Sequence, residues 1–245
     1  MITTPITGVA SKGAVPWETP IIEVLRPAEG YDRWAGTYDS GLNPLLALEE
    51  RCVFPLLPPL QNLRVLDLAC GTGRWFSFLV TRGASSLVGV DFSMRMLTVS
   101  ASKRSCRSRL VRADIAHLPF LPSHFDFAIC SFAVGHVSDI GVFARECRRV
   151  LKPKASLWVT DVHPEAYKAG WRTGFRDQSG RVEIETVTRT TEELVRAFRD
   201  AEFQSAELNQ FGFGLAEKTI FLRSGRNRSF PDACRTPAIL MCQFR

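Results

Sequence analysis

From residue 64 onward, apolar runs of strand length alternate with stretches whose apolar positions recur every three to four residues. RVLDLA (64–69), LVGVD (87–91), RLVRAD (109–114), FDFAICS (125–131) and SLWVTDV (156–162) read as five strands. Helical spacing fills the intervals from Arg74 to about Arg82, from Ser93 onward, and from Asp139 to Leu151. In the last of these, Ile140, Phe143, Ala144, Cys147 and Val150 make one apolar stripe, and Lys152 with Pro153 closes it. Strands this apolar need cover on both faces, which predicts a parallel sheet between two layers of helices.

After the fifth strand the rhythm breaks. FRDQSGRVEIETVTRT (175–190) reads as two extended segments about a Gln178-Ser179-Gly180 turn, inside an insertion of about 164–190. A helix at 191–201 follows, with Thr190 or Thr191 as its N-cap, and PAILMCQF (237–244) is a final strand. Residues 205–236 carry no clear period. Residues 1–30 have few periodic apolar positions and read as an extended arm, so the folded core is expected from about residue 40. The predicted architecture is an α/β, Rossmann-like sheet of seven mostly parallel strands with helices on both faces. An arm over 1–40 and the insertion form a lid on a single domain over 41–245.

Composition narrows the picture modestly. A chain of 245 residues, 45% hydrophobic and 23% charged, suits one soluble domain. It has neither the apolar run of about 18 residues that a membrane helix needs nor a secretory leader, so a cytoplasmic protein that does not engage membranes is expected. The seven cysteines are odd in number and none pair as C-x-x-C, which fits small core residues and no metal site. The net charge of +6 is concentrated in KRSCRSR (103–109); with no aromatics interleaved it reads as a solvated helix end, which argues against a nucleic-acid partner.

The chemistry starts at VLDLACGTGRW (65–75). A parallel sheet binds ligands at the carboxyl ends of its strands, beginning with the first. Gly71 and Gly73 present bare main chain there, and the helix that follows offers free N–H groups. Asp91, at the end of the second strand, is placed to accept hydrogen bonds from a ribose diol. A dinucleotide fingerprint would need a third glycine where Phe76 stands, which disfavours a nicotinamide. Asp67 would also face a pyrophosphate unfavourably, and it suits a ligand bearing an ammonium group.

In order, DLACGTGRW, GVDFS with Met96, RADIAHLPF, FDFAICSFAVGHV and RECRRVLKPKASLWVTD closely resemble the class I S-adenosylmethionine-dependent methyltransferases of the type 11 branch, over roughly residues 31–203. Ala69 replaces the first glycine of that family's D-x-G-x-G-x-G. The resemblance implies that Asp67, Ala69, Cys70, Gly71 and Gly73 hold the methionine part of S-adenosylmethionine. Asp91 would take the ribose hydroxyls, with Ser93 next to it and Phe92 and Met96 beside the adenine. Asp114 and Ile115 would hold the adenine amino edge, and Ser131 and Phe132 would face the sulfonium. Arg74 and Tyr31 or Tyr38 are further candidates for the carboxylate.

Methyl transfer from a sulfonium needs alignment more than chemistry, and a base only where the acceptor must lose a proton. His136 and His163, after the fourth and fifth strands, are the candidates, and Asp161 either holds His163 or is structural. The N/D-P-P-Y/F turn of base amino-group methylation is absent, since Cys130-Ser131-Phe132-Ala133 stands in its place, and no Pro-Cys nucleophile is present. The arm and insertion bring Trp17, Tyr31, Trp34, Tyr167, Trp171 and Phe175. The expected activity is methylation of O, N or C on a small apolar or aromatic molecule by a monomer or homodimer. The alternatives are an RNA or protein acceptor, or a non-catalytic cofactor-binding accessory protein.

Overall fold

The strands and helices predicted between residues 64 and 162 are present in the computed structural model, which describes residues 22–103 and 109–245. In chain order the elements are β1 (Ile22–Leu25), α1 (Pro27–Trp34), α2 (Pro44–Val53), β2 (Arg64–Leu68), α3 (Arg74–Thr81), β3 (Ser86–Asp91), α4 (Met94–Ser102), β4 (Leu110–Arg112), β5 (Phe125–Ser131), α5 (Ile140–Val150), β6 (Leu151–Val162), α6 (Pro164–Lys168), β7 (Gly174–Asp177), β8 (Gly180–Ile184), α7 (Thr191–Asp200), β9 (Ala206–Phe211), α8 (Lys218–Arg223), α9 (Phe230–Arg235) and β10 (Ile239–Phe244). Trp17 and the middle of the basic 103–109 segment lie outside the described residues.

The main sheet has seven strands in the order β4-β3-β2-β5-β6-β10-β9. β4 through β6 pair in parallel, while β10 is antiparallel to both β6 and β9. The order reverses between β2 and β5, so the carboxyl end of β2 opens onto a crevice. Every residue of β2 after Arg64 is buried, because both faces are covered. On one face Phe143, Cys147 and Val150 of α5 pack with Leu194 and Phe198 of α7; on the other lie Trp75, Phe76 and Leu79 of α3 with Leu97 of α4. Phe76, which stands where a dinucleotide fingerprint has its third glycine, finds its space at Gly89 of β3. A Cβ on Gly89 would lie 2.7 Å from the Phe76 ring and 2.8 Å from Cys70 Sγ. The close helix–strand approach is kept, with the small residue moved to the neighbouring strand.

Structure begins well before residue 40. β1 pairs in parallel with β8, which pairs antiparallel with β7, so the amino-terminal strand and the insertion build one three-stranded sheet. Arg33 of α1 ties it together, with Nη1 on Glu23 at 2.7 Å, Nε on Asp177 at 2.6 Å, and a further bond to Ser179. Trp34 stacks on Phe175 at 5.1 Å between ring centroids. Of the other two aromatics of the insertion, Tyr167 is buried and Trp171 is partly buried against the core. Tyr167 packs against Val162 and Ala166, and Trp171 stacks on Phe213 at 5.7 Å. Of the two candidates for the cap of α7, Thr190 takes the role, in a capping box with Glu193, and Asp139 caps α5. β6 starts at Leu151, five residues before the predicted strand, with an irregular register against β5. The stretch 205–236, featureless in sequence, holds the edge strand β9 and the short helices α8 and α9.

Candidate active site

β2 delivers Asp67, and the chain then turns through three left-handed residues, Ala69 (φ 53), Gly71 (φ 54) and Gly73 (φ 74), before α3 begins. A Cβ on Gly71 would meet no atom within 4 Å, so the space above this turn is open. Asp91, at the tip of β3, accepts the Gly71 N–H at 2.7 Å on one carboxylate oxygen and the Ser93 N–H at 2.8 Å on the other. Each oxygen keeps capacity for a ligand hydroxyl. Ser93 Oγ caps α4 by accepting from Met96 N at 3.1 Å. Around this cradle Phe92 is 53% exposed, with the Arg112 guanidinium 5.8 Å from its ring centre. Met96 is fully buried beneath. Asp114, at the rim, accepts the Ala116 N–H at 2.8 Å, and half-buried Ile115 packs on the core.

Asp67 is 1% exposed, and its Oδ2 accepts no hydrogen bond among the described residues. Burial pushes its pKa well above the usual carboxylate range, against a pull from Arg74. A buried acceptor without a donor, beside an open glycine turn, fits a ligand that brings its own N–H groups.

Next to Asp67 lies a carboxylate that the sequence reading missed. Glu49 of α2 is wholly buried and receives the Arg74 guanidinium, the Ser131 hydroxyl (2.8 and 3.0 Å to its two oxygens) and the Thr160 hydroxyl. Arg74 also donates to Ser131 Oγ at 3.0 Å and pairs with Glu50 at 3.4 Å. Glu49 thus joins the carboxyl ends of β5 and β6 to the start of α3, and Arg74 is committed to a protein carboxylate. The signal was available: Glu49 sits in the apolar stripe Leu45, Leu48, Cys52, Val53, where a charge demands a buried partner.

α1 and the turn after it reach across the strand tips. Asp32 accepts from the Ser93 hydroxyl and from Arg95 N at 3.3 Å, and Asp39 accepts from the Thr72 hydroxyl at 2.7 Å. Tyr38 packs edge-on against Trp34, and burial pushes its phenol up to about 12. Tyr31 Oη lies 2.9 Å from His136 Nε2, while His136 Nδ1 lies 2.9 Å from the carbonyl oxygen of Glu185. A carbonyl only accepts, so Nδ1 carries the proton and the Nε2 lone pair receives the Tyr31 O–H. Burial lowers the pKa of His136, so the neutral form prevails.

His163 is arranged differently. Its Nδ1 caps α6 by accepting the Glu165 N–H at 3.1 Å, which puts the proton on Nε2, a buried donor with no partner among the described residues. That tautomer has no spare lone pair for a base. Asp161 does not hold His163. Its oxygens accept the N–H groups of Gly135 and Val162, each at 2.7 Å, and burial raises its pKa to about 6. It thereby fixes the short turn Val134–His136 that carries the other histidine.

With this geometry in place, comparisons with known proteins agree with one another. A methyltransferase-domain family model matches residues 66–159. The chain is 38% identical over 158 residues to a 2-phytyl-1,4-naphtoquinone methyltransferase of Synechococcus elongatus, covering 58% of this chain and 67% of that protein. It belongs to the class I S-adenosylmethionine-dependent methyltransferases, type 11 branch. A malonyl-[acyl-carrier protein] O-methyltransferase of Methylovorus is 32% identical, and the chain spans about half that protein's length (53%). An S-adenosylmethionine-dependent methyltransferase from Mesorhizobium loti superposes with a TM-score of 0.64 at 23% identity, over 83% of this chain and all of that one, a likeness of fold.

The cofactor of this methyltransferase is S-adenosylmethionine, and the orphaned Asp67 oxygen beside the open turn at Gly71 fits its ammonium-bearing end. Among the described residues no group of His, Cys, Asp or Glu could hold a metal ion, and no helix is long and apolar enough to cross a membrane.

Proposed function

We propose that this methyltransferase methylates a hydroxyl oxygen or an acidic carbon of a small, largely apolar or aromatic molecule, with His136 as general base. The observation that carries the reading is His136 itself, a neutral imidazole whose proton is fixed on Nδ1 by the Glu185 carbonyl and whose Nε2 lone pair points to Tyr31 at the crevice. Asp67 and the turn through Ala69, Cys70, Gly71 and Gly73 would hold the methionine end. Asp91 would take the ribose, and Phe92, Ser93, Met96, Asp114 and Ile115 would surround the adenine. Ser131 and Phe132 would flank the sulfonium side. Arg74, engaged by Glu49, acts there as a support rather than as a free carboxylate ligand, which leaves Tyr38 to that task.

When bound, the cofactor supplies an electrophilic methyl carbon. The chain's own contribution is placement, which can lower a barrier by about 7–11 kcal/mol, together with removal of the acceptor's proton. The small sheet of β1, β8 and β7 with α1 serves as a lid that excludes water and gives an aromatic wall from Tyr31, Trp34, Tyr38 and Phe175. A relative named as a 2-phytyl-1,4-naphtoquinone methyltransferase supports an acceptor of this class.

Two measurements test the reading. Calorimetry with S-adenosylhomocysteine should show micromolar binding. Product analysis with hydroquinones, phenols, carboxylates and amines should show transfer to the first two, falling about 10²–10⁴-fold in His136→Gln. Transfer to amines alone would refute the acceptor class.

A further inference from the structure

We propose that Tyr31 is the catalytic residue that meets the acceptor's proton and relays it to His136. The inference rests on the hydroxyl or acidic-carbon acceptor proposed above. Both ring nitrogens of His136 are occupied, Nδ1 by the Glu185 carbonyl and Nε2 by the Tyr31 hydroxyl. No acceptor reaches that imidazole without displacing the phenol. The phenol oxygen, with lone pairs to spare, is therefore the outward atom of the pair. Its surroundings agree. The chain has only three tyrosines, and Tyr38 and Tyr167 both act on Tyr31 electrostatically. Burial above all, and then these neighbours together with Asp161 of β6 and Asp91 of β3, hold the phenol in its protonated form. His136, at 2.9 Å, is the titratable group in direct contact with it. A phenol held protonated cannot serve as a standing phenolate. It can give its own proton to a neutral imidazole as it receives another.

The acceptor X–H gives its proton to Tyr31 Oη while the tyrosine's proton passes to His136 Nε2. The X lone pair forms the bond to the methyl carbon as the carbon–sulfur pair leaves on sulfur. The products are methylated X, the neutral thioether and an imidazolium, which later returns its proton to solvent through the same phenol.

The test uses the full chain and two variants, Tyr31→Phe and His136→Gln. The expected result is a fall in kcat on the order of 10² in each, no further fall in the double variant, and an S-adenosylhomocysteine Kd within about threefold of wild type. A nitrophenol already ionised at the assay pH should restore both variants, because it has no proton to relay; a residue that merely shapes the pocket would not be rescued. Nitrogen NMR of labelled imidazole needs no acceptor, and it should show His136 as the Nδ1–H tautomer, with the Nε2 signal shifted in Tyr31→Phe. Unchanged kcat in Tyr31→Phe, a weakened cofactor Kd with kcat intact, or an Nε2–H tautomer would each overturn the relay and leave the acceptor class standing. Transfer to amines alone would remove the acceptor class, and the relay with it.

Discussion

Replacing Glu49 by Ala should be the most damaging single change near the crevice among residues not themselves proposed to touch the cofactor. Glu49 is 0% exposed and Arg74 13% exposed in its side chain, so the variant leaves a buried guanidinium without its main counter-charge. It also leaves the Ser131 and Thr160 hydroxyls without their shared acceptor. Breaking a buried ion pair from one side costs about 3–5 kcal/mol. At about 2–4 °C per kcal/mol for a chain of this size, the expected drop in Tm is roughly 6–20 °C by calorimetry. Glu50, at 3.4 Å from Arg74, is 40% exposed and can offset only part of the loss. The double variant Glu49→Met with Arg74→Met removes both charges and should recover most of the deficit, since an apolar pair of similar volume is often neutral or better. A Glu49→Ala protein within about 1 kcal/mol of wild type in urea titrations would refute this account, as would a double variant as weak as the single one.

Other outcomes follow from the same geometry. Asp91→Ala should weaken S-adenosylhomocysteine binding about 10- to 100-fold by calorimetry, the range of one or two charged hydrogen bonds. Gly89→Ala should cost about 1–3 kcal/mol of stability, because its Cβ would press on Phe76 and Cys70; an unchanged urea midpoint would contradict the packing described. Asp161 has its pKa raised from the ordinary 3.8 to about 6, so its ionisation works against the folded state. That penalty is absent below about pH 4, grows as the pH rises towards 6, and is complete above it. Relative to Asp161→Asn, wild type should therefore lose stability across that window and hold a constant difference beyond it. For His136 the pKa is lowered, so kcat/KM should fall only as the pH drops below the ordinary histidine value of 6.5.

The parallel part of the sheet was legible because its strands are buried on both faces and its helices carry continuous stripes; β2 and α5 show this plainly. The glycine turn and Asp91 were legible because a strand that ends in an acid and two glycines has no purely structural explanation. What escaped depends on partners remote in sequence. β1 is four residues long with mixed burial, and only its pairing with β8, some 160 positions away (Ile22 with Arg181), makes it a strand. Tyr31 reads as a ligand residue until its contact with His136, 105 positions away, is seen. The two histidines look equivalent in sequence; a backbone N–H on one and a backbone carbonyl on the other divide their chemistry. Neither partner leaves a mark in residue type.

Five side chains between residues 31 and 39, those of Tyr31, Asp32, Arg33, Trp34 and Asp39, fasten to the tips of β2, β3 and β5 and to the small sheet. Thr72 and Ser93, the residues beside the Gly71 turn and Asp91, donate their hydroxyl hydrogen bonds to Asp39 and Asp32 of this strap, and the phenol that meets the imidazole at position 136 comes from the same nine residues. A change that loosens this stretch should therefore be felt at the strand tips and at the imidazole together.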